Sequence, residues 1–93
     1  MPLSQTELEQ TLHKTTSLYN HLKNPELFAK IVLVTPEMVV LLFSGTFCFN
    51  CGILNYVEDF IHSFKVLTNK AELKVSKVKE INSHSFEVYF QVK

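Results

Sequence analysis

Two runs of branched apolar residues on either side of a proline constrain this chain more than any other feature. Residues 27–35 hold Ile31-Val32-Leu33-Val34, and residues 38–44 hold Met38-Val39-Val40-Leu41-Leu42-Phe43, with Thr35-Pro36-Glu37 at the junction. Side chains branched at Cβ pack well on a pleated strand, and the fixed φ of proline suits the first corner of a tight turn. The spacing therefore predicts an antiparallel hairpin. Both runs are almost continuously apolar, which predicts strands covered on two faces. One face would meet helices and the other a partner subunit.

The flanking segments carry the helical period. Ser4-Gln5-Thr6-Glu7 fits a capping box, so a helix should begin there. Leu8, Leu12, Tyr19 and Leu22 fall on one stripe of it, with Thr15 a weak member, and Asn24-Pro25 supplies the stop. After Gly45 the spacing is again helical: Ile53, Val57, Phe60, Ile61 and Phe64 share a face, and Asn55, Glu58, Asp59, His62 and Ser63 lie opposite or flanking it. This second helix should run over residues 50–67 and close at Thr68-Asn69-Lys70.

Two more strands follow. Leu73 and Val75 point one way, and the change of phase at Ser76 before Val78 predicts a bulge, with Lys74, Lys77 and Lys79 on the exposed side. Phe86, Val88, Phe90 and Val92 then alternate with Glu87, Tyr89, Gln91 and Lys93, the period of a half-buried strand. The order is α-β-β-α-β-β. It predicts an α+β, two-layer sandwich with a mainly antiparallel sheet and the helices packed on one face. With 93 residues there is length for one domain, residues 1–93, and one core.

Charge narrows the functional classes. Nine Lys balance nine Asp plus Glu, and there is no Arg. No whole-molecule field steers the chain toward nucleic acid or an anionic membrane, and the planar fork that grips phosphate or guanine is missing. Neutrality also puts no strong charge barrier in the way of a homodimer. Residues 1–10 lack the basic-then-apolar pattern of a signal peptide, and Lys30 and Pro36-Glu37 interrupt the most apolar stretch. The expectation is a cytoplasmic protein without a membrane span. In that compartment a thiol pair points to metal binding or redox chemistry before a structural disulfide.

Such a pair is present at Cys48-Phe49-Asn50-Cys51, between the only two glycines, Gly45 and Gly52. Cys48 falls in the loop after the second strand, and Cys51 falls in the first turn of the second helix as expected from the sequence. There free N–H groups and the helix dipole favour the thiolate, the form that binds soft metals or attacks a disulfide. Gly45 before the pair can take a φ that other residues avoid, and Gly52 after it allows close backbone approach.

Two thiolates supply half of the usual four ligands of a zinc or iron–sulfur site. His62 lies about 16 Å along the helix from Cys51, too far to share a metal with it. His13, His21 and His84 complete no local site either. A second copy of the chain is the simplest source of the other two thiolates.

A helix, a hairpin, then Gly45-Thr46-Phe47-Cys48-Phe49-Asn50-Cys51 opening an amphipathic helix, then a strand, resembles the NifU-like iron–sulfur scaffold and carrier domain over residues 6–81. The resemblance implies that Cys48 and Cys51 bind a cluster, often bridging two subunits, for delivery to a client protein. The chain departs from that pattern in three places. Asn24-Pro25-Glu26-Leu27 replaces an acidic, glycine-rich turn, the strand over residues 85–93 is additional, and the Gly-to-Cys spacing is one residue longer.

Two alternatives use the same residues. In a thiol–disulfide redox protein one thiolate attacks and the other resolves the mixed disulfide. The chain lacks the Trp and the parallel βαβ unit common in thioredoxin-like proteins. In a non-catalytic interaction module the two thiols are simply packed among Phe47, Phe49, Ile53 and Leu54. Glu58 and His62, an i,i+4 pair, read as a solvent-exposed contact and not as an acid–base dyad.

Overall fold

The computed structural model describes residues 4–23, 27–45 and 53–93. Its elements are α1 (Gln5–Lys23), β1 (Leu27–Val34), β2 (Met38–Gly45), α2 (Ile53–Leu67), β3 (Leu73–Asn82) and β4 (Ser85–Val92). The predicted α-β-β-α-β-β order is the observed one. The four strands form one sheet in the order β1-β2-β4-β3, and every neighbouring pair is antiparallel.

The capping box at the start of α1 forms as expected. Glu7 N–H donates to Ser4 Oγ at 3.2 Å, and Ser4 N–H donates back to Glu7 Oε1 at 3.4 Å. The hairpin turn closes on Thr35 in the same local way. Thr35 N–H donates to the Met38 carbonyl at 2.8 Å, and Met38 N–H donates to Thr35 Oγ1 at 2.9 Å, leaving Pro36 and Glu37 at the corner. Val92 N–H donates to the Glu37 carbonyl at 2.9 Å, so the last strand is stitched to this turn.

The expected bulge at Ser76 is present: Val75 faces Phe90, Lys77 faces Tyr89, and Ser76 is the extra residue between them. Further bulges fall at Val32 in β1 and at Ile81 in β3.

Alternation divides the sheet into two faces. Leu27, Ala29, Val39, Leu41, Phe43, Phe86, Val88 and Phe90 point toward the helices and are buried with Leu8, Leu12 and Tyr19 of α1 and Val57, Phe60 and Phe64 of α2. Removing each large side chain from water contributes about 1.5–3 kcal/mol, which makes this single layer the main source of stability. The radius of gyration, 12.4 Å, agrees with the value of about 12 Å for one packed domain of this length.

Two expectations need correction. Leu22 is 64% exposed, because the buried stripe of α1 is Leu8, Leu12, Thr15 and Tyr19, and the last turn overhangs the core. Ser63 is buried; its hydroxyl donates to the Asp59 carbonyl one turn back, which removes the cost of placing it there. Within the single chain, where the expected partner subunit has no part, the two hairpin strands are unequally covered. The interior strand β2 is well shielded, whereas β1 at the sheet edge leaves Phe28, Val32 and Leu33 exposed. The second helix is described from Ile53, and its predicted start at residues 50–52 lies outside the described residues.

Candidate functional site

Cys48, Phe49, Asn50, Cys51 and Gly52 lie outside the described residues, so the described structure locates the ends of their segment and not the segment itself. One end is Gly45, the last residue of β2, with φ of 155°, on the side of the map open to glycine. The other end is Ile53, the first residue of α2.

Several elements converge on this end of the sheet. Gly45 faces Leu27 across the β1–β2 ladder. Gly45 N–H donates to the His84 carbonyl at 3.0 Å, which brings the β3–β4 turn alongside. That turn is held by Asn82, whose Oδ1 accepts the His84 N–H at 2.8 Å. His84 itself is exposed, and its backbone is bonded to a residue three positions before Cys48. In the sequence alone His84 completes no local site and has no link to the cysteine segment. The link depends on β4 pairing with β2, which no local pattern announces.

The C-terminal end of α1 reaches the start of α2 nearby. Tyr19 Oη donates to the Tyr56 carbonyl in the first turn of α2 at 2.9 Å. Lys23 Nζ pairs with Asp59 Oδ2 across the two helices, a partly exposed contact that contributes at most about 1 kcal/mol. Burial, then the Asp59 carboxylate and the Tyr56 phenol, push the Tyr19 phenol well above its ordinary pKa of 10.0. It remains neutral and keeps donating.

Because the folded-state pKa is raised, the stabilisation from Tyr19 is complete below about pH 10 and is lost as pH rises through the folded value. Tyr19→Phe is expected to cost about 1–2 kcal/mol at neutral pH. It should also flatten the alkaline decline of stability, which urea denaturation at a series of pH values would show. An alkaline limb unchanged from wild type would contradict this role.

The other sequence candidates are scattered. Leu54 is 57% exposed, flanking the buried stripe of α2. Glu58 and His62 are both exposed, as expected, and line an open recess on the outer side of α2 with Asp59, Ile61 and Lys65. His13 and His21 are exposed on α1. Among the described residues no three His, Cys, Asp or Glu side chains gather as a metal site, and no buried side-chain polar atom lacks a partner.

Fold and site together define an α+β two-layer sandwich with its cysteine pair in the connection from the second strand to the second helix. Comparison with family models, characterised proteins and solved structures finds no match. No helix among the described residues is long and apolar enough to cross a membrane.

Proposed function

We propose that this chain is a small metal- or iron–sulfur-binding carrier protein that acts in the cytoplasm as a homodimer through Cys48 and Cys51. The observation that supports the reading is where the chain leaves and rejoins the described elements on either side of them. It leaves the sheet at Gly45, beside the turn that holds His84, and enters α2 at Ile53. A strand end leading into a helix start is a setting in which backbone N–H groups and the helix dipole favour a thiolate. The donors fit zinc or an iron–sulfur cluster in kind, because soft thiolates select these metals and imidazole serves as a further ligand. A second copy supplies two more thiolates, and the bound group is cargo for a client protein.

Anaerobic reconstitution with iron and sulfide, and separately with zinc, tests the reading. Wild type should take up stoichiometric metal and the Cys48→Ser/Cys51→Ser variant none. His84→Ala separates the two ways of completing the site: uptake weakens about 10–100-fold if imidazole participates and stays unchanged if the four ligands are thiolates of two copies. Absence of stoichiometric metal on wild type, or equal loading of the double variant, would refute the reading.

A further inference from the structure

The chain is neutral as a whole, but the fold separates its charges. The sheet face turned away from the helices carries Lys30 on β1 and Lys74, Lys77 and Lys79 on β3, all exposed, with Glu87 as its one acidic residue. Acids outnumber lysines among the other described residues. Between the lysine row of β3 and the single Lys30 of β1 lies an apolar band of Met38, Val40 and Leu42 on β2, in which Tyr89 of β4 and Leu33 of β1, on the same strand as Lys30, flank Val40. Val40 is only 4% exposed although it lies on the face turned away from the helices.

We propose that this face docks an acidic amphipathic helix of a partner protein. The dimensions agree. Four strands place Lys30 about 14 Å from the lysine row of β3, and a helix with its side chains is about 10–12 Å across. Its apolar stripe would lie along Val40, Leu42 and Leu33, and carboxylates on its two flanks would reach Lys30 on one side and Lys77 and Lys79 on the other. An apolar centre with a charged rim is the usual anatomy of a protein interface.

Two other occupants fit less well. A second copy stacked face to face with its strands aligned sets the lysine row of β3 against either the same row or Lys30 of the other copy. Single-stranded nucleic acid needs free aromatic faces and phosphate grips. Tyr89 is the aromatic of the central band, and its ring already has Lys77 Nζ 5.7 Å from the centroid. Its hydroxyl donates to Glu87 Oε1 at 3.2 Å.

The test is anisotropy titration of the full chain with a labelled helical peptide of about 18 residues, the length that spans the sheet, with leucines on one stripe and glutamates on its flanks. Two controls are the same peptide with lysines for glutamates and a single-stranded oligothymidylate. The acidic peptide should bind in the micromolar range and weaken at least about tenfold between about 50 and 500 mM salt. Lys77→Glu/Lys79→Glu and, on the opposite edge, Lys30→Glu should each weaken it several-fold or more. All three sites are exposed, so thermal unfolding should report the variants folded. Cys48→Ser/Cys51→Ser should bind like wild type, which separates this face from the thiol site. Equal binding of the acidic and basic peptides, tighter binding of the oligonucleotide, or wild-type affinity in the folded charge-reversal variants would overturn the proposal.

Discussion

Phe43→Ala is expected to destabilise the protein by about 3–5 kcal/mol, a large part of the 5–15 kcal/mol that holds a typical domain together. Phe43 lies on the interior strand β2 and is fully buried. It meets Tyr19 of α1 edge-on at 5.6 Å, Phe60 of α2 edge-on at 5.9 Å, and Phe86 of β4 stacked at 5.0 Å. One ring thus joins both helices to two strands. Truncation forfeits its transfer energy and leaves a cavity that four elements would have to collapse around. For a chain of this length each kcal/mol moves the thermal midpoint by about 4–8 °C, so the variant should melt more than about 10 °C below wild type. Phe28→Ala is the control: at 55% exposure on the open face it should change stability by about 0.5 kcal/mol or less. Comparable losses for the two variants would mean that the core is not organised around Phe43.

The features legible in the sequence are those encoded within a few residues. Ser4 and Glu7 specify a cap, Pro36 a corner, the phase change at Ser76 a bulge, and the alternation from Phe86 to Val92 a half-buried strand; each depends on steric or hydrogen-bonding rules of short range. What was not legible depends on which strands become neighbours. Insertion of β4 between β2 and β3 brings His84 to Gly45 and puts the lysines of β3 on the edge opposite Lys30. The same placement turns a net charge of zero into a basic face. Apolar continuity does not tell the edge strand β1, whose Phe28, Val32 and Leu33 are exposed within the single chain, from an interior strand until its neighbours are known. Leu22 failed for a related reason: helical period assigns a face but not how far the core extends along it.

Asn20→Leu is expected to be the most damaging polar substitution on the helices, and it shows how the apolar edge at β1 is kept from pairing with another chain. The Asn20 side chain acts as a missing strand: its Oδ1 accepts the Ala29 N–H at 2.7 Å, and its Nδ2 donates to the Ala29 carbonyl at 3.0 Å. Gln5 Nε2 makes a longer contact of 3.4 Å to the Val34 carbonyl farther along the same strand. The opposite edge is protected differently, by Lys74, Lys77 and Lys79 and by two bulges. Removing the Asn20 amide leaves both Ala29 groups without these bonds, at a cost of about 1–3 kcal/mol, and frees a template for strand addition. Urea denaturation should show the loss, and sedimentation velocity should show self-association that rises with concentration. Asn20→Asp separates hydrogen bonding from packing. Its ionised carboxylate still accepts from Ala29 N–H but faces the Ala29 carbonyl, whereas the neutral acid can serve both groups. Folding therefore raises the pKa of the new carboxyl above its unfolded value of about 3.9. The stabilisation it provides is complete below that value and is lost as pH rises through the folded one. The Asp variant should approach wild-type stability near pH 3 and fall behind it toward neutrality. Wild-type stability for the Leu variant, together with a pH-independent difference for the Asp variant, would show that the Asn20 amide is not what closes this edge.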